Sequence, residues 1–162
     1  ENTVISLNDI KGDNGTLVMF ICNHCPYVKA VTKEIVEDCN ELKKIGINSV
    51  AICANDAENY PEDSFENMIK FSKDNNFNFP YLNDETQNIA KAYDAVCTPD
   101  FFGYNKNLEL QYRGRLRELR NLIPVKEGES DLLKAMKQIA ETGEGPKNQI
   151  PSAGCSIKWK TN

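Results

Sequence analysis

Two cysteines stand two residues apart in "FICNHCPYVKA" (20–30): Cys22 and Cys25, with His24 between them. Such a pair can hold a metal, carry a haem, or pass electrons by cycling between dithiol and disulfide. Covalent haem attachment needs a histidine directly after the second cysteine, and Pro26 stands there instead. A structural zinc site wants four ligands. With one CxxC and a single histidine in the chain, zinc would have to recruit Cys97 or Cys155. Electron transfer fits the spacing better, and it needs neither a metal nor an organic cofactor.

The chemistry of such a dithiol depends on where the chain places it. "TLVMFIC" (16–22) is a short unbroken apolar run, the mark of a strand buried on both faces, and a helix follows it. At that junction the unpaired N–H groups and the dipole of the helix favour an anion. Cys22 is therefore expected to have a lowered pKa and to act as the nucleophile. Cys25, one turn in, is expected to attack the mixed disulfide and release the product. An imidazolium at His24 would add to the stability of the Cys22 thiolate. Far downstream, Thr98-Pro99 precedes the strand-like "DFFGY", where a cis X-Pro bond is one way to make a rigid turn.

The elements that must hold these residues follow from periodicity. Val28, Val31, Ile35, Cys39 and Leu42 recur at helical spacing up to Gly46, and "INSVAIC" (47–53) reads as the next strand, giving a βαβ unit with parallel pairing. A polar, acidic stretch (54–67) leads into a helix marked by Phe65, Met68, Ile69 and Phe71, ending near Asn75 and Asn76. A short helix is expected over 85–95 with Thr86 as its cap, then strands at 100–104 and 109–115 around an "NKN" turn. A last helix over 129–141 stops at Gly143. The order predicts an α/β fold: a mixed central sheet with helices on both faces, one domain over 1–142, and a tail over 143–162 packed against it.

Composition narrows the partners. Lys and Arg number 19 against 24 Asp and Glu, a formal charge of -5, which disfavours nucleic acid. No apolar run approaches the roughly 20 residues a membrane span needs. Cys39 sits on an apolar helix face and Cys53 at a strand end, so both are expected to be packing residues. "YRGRLRELR" gathers Arg113, Arg115, Arg117 and Arg120 into a solvated face or an anion-binding patch. Trp159 is expected to anchor the tail by burying its ring.

The linked motifs "MFICNHCPYVKA", "NDAENYPEDS", "FPYLNDETQ", "CTPDFF", "YRGR" and "GCSIKWK" resemble bacterial thioredoxin-like proteins of the redoxin (alkyl hydroperoxide reductase/thiol-specific antioxidant) superfamily. The resemblance implies a thioredoxin-like fold with Cys22 as nucleophile, Cys25 as resolving thiol and Pro99 as a cis-proline facing them. It also implies that the backbone of Thr98, with Pro99 and Asn23, meets an extended substrate. Where thioredoxins bury an acid six residues before the first cysteine, this chain has Thr16, so Asp56, Glu58 or water would accept the proton of Cys25. Peroxiredoxins carry a threonine three residues before their reactive cysteine; Met19 is here.

Cys97 and Cys155 form a candidate second redox pair. The expected function is thiol-disulfide exchange on protein or small-molecule disulfides, coupled to an upstream thiol reductant or oxidant. A peroxidase and a non-catalytic binding module stand as alternatives. A monomer is expected, in the cytoplasm, with the periplasm left open by a chain that opens at Glu1 without an initiator Met.

Overall fold

The computed structural model describes residues 4–161; the outermost residues of the expected domain and tail, 1–3 and 162, lie outside it. A short helix α1 (Leu7–Ile10) leads into β1 (Gly15–Phe20), α2 (Pro26–Lys43) and β2 (Ile47–Cys53). A 3-10 turn (Pro61–Asp63), α3 (Phe65–Asp74), β3 (Tyr81–Asn83) and α4 (Asn88–Tyr93) follow. Then come β4 (Cys97–Thr98), β5 (Asp100–Tyr104), β6 (Leu110–Gly114), β7 (Leu119–Arg120), β8 (Ile123–Pro124), α5 (Asp131–Thr142) and β9 (Cys155–Ser156).

The main sheet runs β3-β2-β1-β5-β6. β1 pairs parallel with β2, β2 parallel with β3, and β5 lies antiparallel to both β1 and β6, so the sheet is mixed as expected. β1 is central and every residue of it is buried, which is why it reads as an unbroken apolar run. Alternation along β1 splits the core in two. Leu17 and Met19 join Val28, Ile35 and Leu42 of α2, Met68 of α3, and Leu132 and Met136 of α5. Val18 and Phe20 join Phe102, Ala90 of α4 and Ile157 of the tail, with Leu7 and Ile10 of α1 at the margin. Helices thus cover both faces.

Three local readings change. The helix expected over 85–95 is shorter, because Gln87 sits in the left-handed region (φ 67) ahead of α4 and Asp94 (φ 61) ends it. Thr86 Oγ still accepts the Asn88 N–H, at 3.3 Å. The three-residue edge strand β3 and the small β7–β8 pairing were not expected; such short, half-exposed pieces carry too few residues to show a period. Trp159 is not buried but 38 % exposed, with Lys91 Nζ 5.7 Å from its ring centroid.

The N-terminal end of α5 meets a buried acid of α2, Asp38. Ser130 caps α5 by accepting the Leu133 N–H (2.9 Å), and its hydroxyl donates to Asp38 Oδ2 (2.6 Å). Burial raises the Asp38 carboxyl to about 6, with Glu34 adding to the rise and Ser130 and Arg117 opposing it. The folded chain therefore binds this proton more tightly than the unfolded one, whose value is near 3.8. Its stabilising share is complete below that value and is lost as pH rises through about 6. Asp38→Asn should remove this loss. Between pH 5 and pH 7 the urea midpoint of the wild type should fall relative to that of Asp38→Asn, and parallel profiles would contradict the assignment.

Candidate functional site

The strand–helix junction forms as the sequence predicts. β1 ends at Phe20 and Cys25 is the N-cap residue of α2, with Pro26 at the first helical position, where a missing N–H costs nothing. Cys22 and Cys25 are each 1 % exposed. The Thr98-Pro99 peptide is cis and faces them: Cys22 Sγ is 3.5 Å from Thr98 Oγ1, and Cys25 Sγ is 3.4 Å from the Thr98 carbonyl oxygen.

Within the pair the lowered thiol is Cys25 rather than the expected Cys22. Cys25 is held down to about 4, first by the hydrogen bond from Cys22, then by the thiol of Cys155 and by the N–H groups of Val28 and Cys155, against its burial. Cys22 is pushed up, first by donating that bond, then by burial and by the nearby Asp63 carboxylate; the Thr98 hydroxyl works the other way. The physical reason is position: Cys25 lies between the thiols of Cys22 and Cys155 at the head of α2, while Cys22 lies three residues earlier beside the Asp63 carboxylate. The two thiols titrate as a pair rather than independently.

Asp63 is the residue that sequence reasoning missed. It is 1 % exposed and accepts the Asn23 N–H at 2.8 Å and the Asn55 side-chain amide at 2.9 Å. His24 Nδ1 lies 2.7 Å from its Oδ2, and the His24 ring stacks on Tyr60 with an interplanar angle of 5°. Cys22, His24 and Asp63 thus bring a sulfur, a ring nitrogen and a carboxylate oxygen within 4.8 Å of one another. Three donors can hold a cation, yet they are one short of the four of a structural zinc site. The same set can carry a proton away from a thiol.

Of the expected acceptors, Asp56 is engaged elsewhere and Glu58 is exposed. Asp56 accepts from Asn59 and from the Glu58 N–H, while its own N–H donates to Lys158 in the tail. Asn23, expected to meet substrate, is buried and fully engaged: its amide donates to the Glu62 carbonyl, its N–H to Asp63, and its side-chain oxygen accepts from Tyr81. It holds the CxxC loop against the Asp63 turn.

Thr98 is also reassigned. Its strand edge is taken by the chain's own tail, β9 lying antiparallel to β4 with Thr98 opposite Cys155 and Cys97 opposite Ser156. Gly154 permits this approach, since a Cβ there would overlap the Thr98 carbonyl. Pro99 is buried and lines a cavity of about 360 Å3 with Tyr27, Val31, Leu119 and Pro151.

Among the described residues all six cysteines are free thiols. The structure does not bring the sulfurs of Cys97 and Cys155 into contact. Cys97 Sγ points to the Pro99 carbonyl at 3.8 Å, while Cys155 Sγ lies 2.7 Å from Cys25 Sγ. Cys39 and Cys53 are buried and raised to about 12 by that burial, as packing thiols. The arginines form no patch. Arg113, Arg115 and Arg120 pair with Asp100, Asp131 and Glu118, and Arg117 is buried against Glu34.

Residues 1–118 match the AhpC/TSA family model. An uncharacterized conserved protein from Geobacillus kaustophilus is 49 % identical, with a TM-score of 0.91 over 99 % of this chain and 85 % of that one. A hypothetical protein from Sinorhizobium meliloti is 34 % identical, with a TM-score of 0.90 over 99 % and 87 %. A thioredoxin-like protein solved in its oxidized form shares the fold at 15 % identity, with a TM-score of 0.67 over 87 % of each chain. No curated protein matches the chain. The buried CxxC at the head of α2, the cis-proline turn against it and the family match agree: the chain belongs to the AhpC/TSA family of thioredoxin-like redox proteins.

Proposed function

We propose that the protein is a thiol-disulfide oxidoreductase working through Cys22 and Cys25. The observation that carries this reading is geometric: two buried thiols at the start of α2, both set against the cis Thr98-Pro99 turn, Cys22 Sγ 3.5 Å from Thr98 Oγ1 and Cys25 Sγ 3.4 Å from the Thr98 carbonyl oxygen. A Cys22 thiolate forms when Cys22 passes its proton to Cys25, and it attacks a substrate disulfide. The released half takes the electron pair, leaving a mixed disulfide on Cys22. Cys25 then attacks the Cys22 sulfur, closes the internal disulfide and frees the second half of the substrate as a thiol. The proton held by Cys25 leaves with that thiol, while Asp63 and His24, grouped with Cys22, lie close enough to relay the proton of Cys22.

Substrate must approach away from the Thr98 edge, which β9 occupies. His24 and Tyr60 border the open side, with the Pro99 cavity on the other flank. Protein or small-molecule disulfides fit this reading, with an external thiol resetting the pair. Peroxide reduction is the second reading, favoured by the family match. It would use the same thiols and would show as peroxide consumption that depends on Cys22.

The deciding experiment equilibrates the full chain in glutathione buffers and weighs it after thiol trapping. A reversible two-electron transition is expected. A value near that of thioredoxin, about -270 mV, assigns a reductant, and one near that of DsbA, about -120 mV, an oxidant. Absence of any reversible Cys22–Cys25 disulfide overturns the proposal and leaves a binding module.

A further inference from the structure

We infer that Cys155 is a third redox thiol of this site, one that takes over the disulfide from the Cys22–Cys25 pair. The inference rests on the reading that this pair forms a reversible disulfide, and goes beyond it by giving the disulfide a second position.

Cys155 is held at the site by a built strand rather than by chance. Beyond it the Ile157 N–H donates to the Val96 carbonyl and the Ile157 side chain is buried in the second core cluster. Asn55 accepts the Lys158 N–H at 2.9 Å, Gln87 accepts that of Lys160 at 3.0 Å, and the Lys158 carbonyl takes hydrogen bonds from Gln87 and from the Asp56 N–H. On the other side Gly154 lets the backbone close on Thr98. The outcome is a register in which Cys155 faces Thr98 and its sulfur meets that of Cys25. Cys25 therefore has a thiol partner on either side.

In the transfer, the Cys155 thiolate attacks Cys25 within the Cys22–Cys25 disulfide. The Cys155–Cys25 bond forms and the Cys25–Cys22 bond breaks. The electron pair leaves with the Cys22 sulfur, which takes up a proton equivalent to the one Cys155 gave to solvent. Nothing is oxidised or reduced overall, and no external reagent is consumed.

Cys155 stands at about 11 in the reduced protein, raised first by burial and then by its contact with Cys25. Oxidation of Cys25 removes the second of these causes, so Cys155 becomes more acidic when it is needed. Cys155 is also partly exposed where the pair is buried. A disulfide moved to Cys25–Cys155 frees Cys22 and offers an external thiol a sulfur it can reach.

The test treats the full-length wild type, Cys22→Ser, Cys25→Ser and Cys155→Ser with diamide, quenches with N-ethylmaleimide and maps tryptic peptides without reduction. Cys22 and Cys25 lie in peptide 12–29, Cys155 in 148–158 and Cys97 in 92–106. Cys22→Ser should join 12–29 to 148–158, and Cys25→Ser should lose that link. In the wild type the link should grow out of the disulfide internal to 12–29, faster at higher pH. Glutathione should reset oxidised Cys155→Ser more slowly than oxidised wild type. Unlinked peptides in Cys22→Ser, together with unchanged resetting of Cys155→Ser, overturn the relay while leaving the Cys22–Cys25 dithiol intact. A wild type that forms no disulfide within 12–29 overturns the dithiol reading, and the relay with it.

Discussion

Cys22→Ser is expected to bring disulfide exchange down to the uncatalysed background, a loss on the order of 10^3-fold or more. Serine keeps the size and the contact with Thr98 but cannot form the mixed disulfide that divides the reaction into two steps. Cys25→Ser is expected to fail differently. Cys22 then loses the partner to which it passes its proton, so attack slows. Whatever mixed disulfide does form persists, because Cys155 touches Cys25 and not Cys22. Incubation with oxidised glutathione followed by mass measurement separates the two. Cys25→Ser should accumulate one glutathione on Cys22, and Cys22→Ser none at that position. Glutathione on Cys25 in the Cys22→Ser protein, with turnover retained, would make Cys25 the attacking thiol, the assignment to which its lower pKa in the resting pair would then point.

That ambiguity marks how far the sequence could be read. The core layout was legible because it rests on periodicity: the apolar run of β1, the helical spacing of Val28 to Leu42, and Gly143, which closes α5 in the left-handed conformation (φ 81). The dithiol was legible because spacing alone places both sulfurs at one helix end. What surrounds them was not, since it arrives from distant segments. Asp63 lies within the quoted "NDAENYPEDS", yet its exposure could not be told from that of its neighbours Glu58 and Glu62. Only the 3-10 turn after β2 buries it beneath Asn23 and His24. The pKa order within the pair depends on that acid and on the thiol of Cys155. The partner of Cys155 depends on strand register, because neighbouring residues on a strand point to opposite faces. Cys155 and Cys97 do meet in one two-stranded sheet, but offset by a residue, and that offset sends the Cys155 sulfur to Cys25.

Arg117→Ala should cost about 3–5 kcal/mol of stability, the usual consequence of stripping a buried carboxylate of its cation. Arg117 and Glu34 are 8 % and 7 % exposed. The guanidinium grips both Glu34 oxygens through Nε at 2.9 Å, with Nη2 at 2.7 Å from Oε2. Its remaining donors reach the carbonyls of Val125 and Gly128, each at 2.8 Å, so one side chain ties α2 to the irregular segment that leads into α5. Alanine leaves Glu34 charged without a partner and both carbonyls without their donor. It also removes the cation that restrains Asp38, while Glu34 continues to push that carboxyl up. The loss should therefore be larger at pH 7 than at pH 5, where more of Asp38 is neutral. A double replacement, Glu34→Leu with Arg117→Leu, should recover most of the loss, because it removes the unpaired charge along with the pair. Urea unfolding followed by far-ultraviolet circular dichroism at both pH values checks this. If the single and double variants are equally destabilised, the carbonyl contacts and packing, rather than the stranded charge, set the cost. Since Cys25 is the N-cap of α2, the anchoring of that helix by Arg117 also steadies the thiol pair, so any loss of exchange activity on heating should follow the unfolding curve of Arg117→Ala rather than precede it.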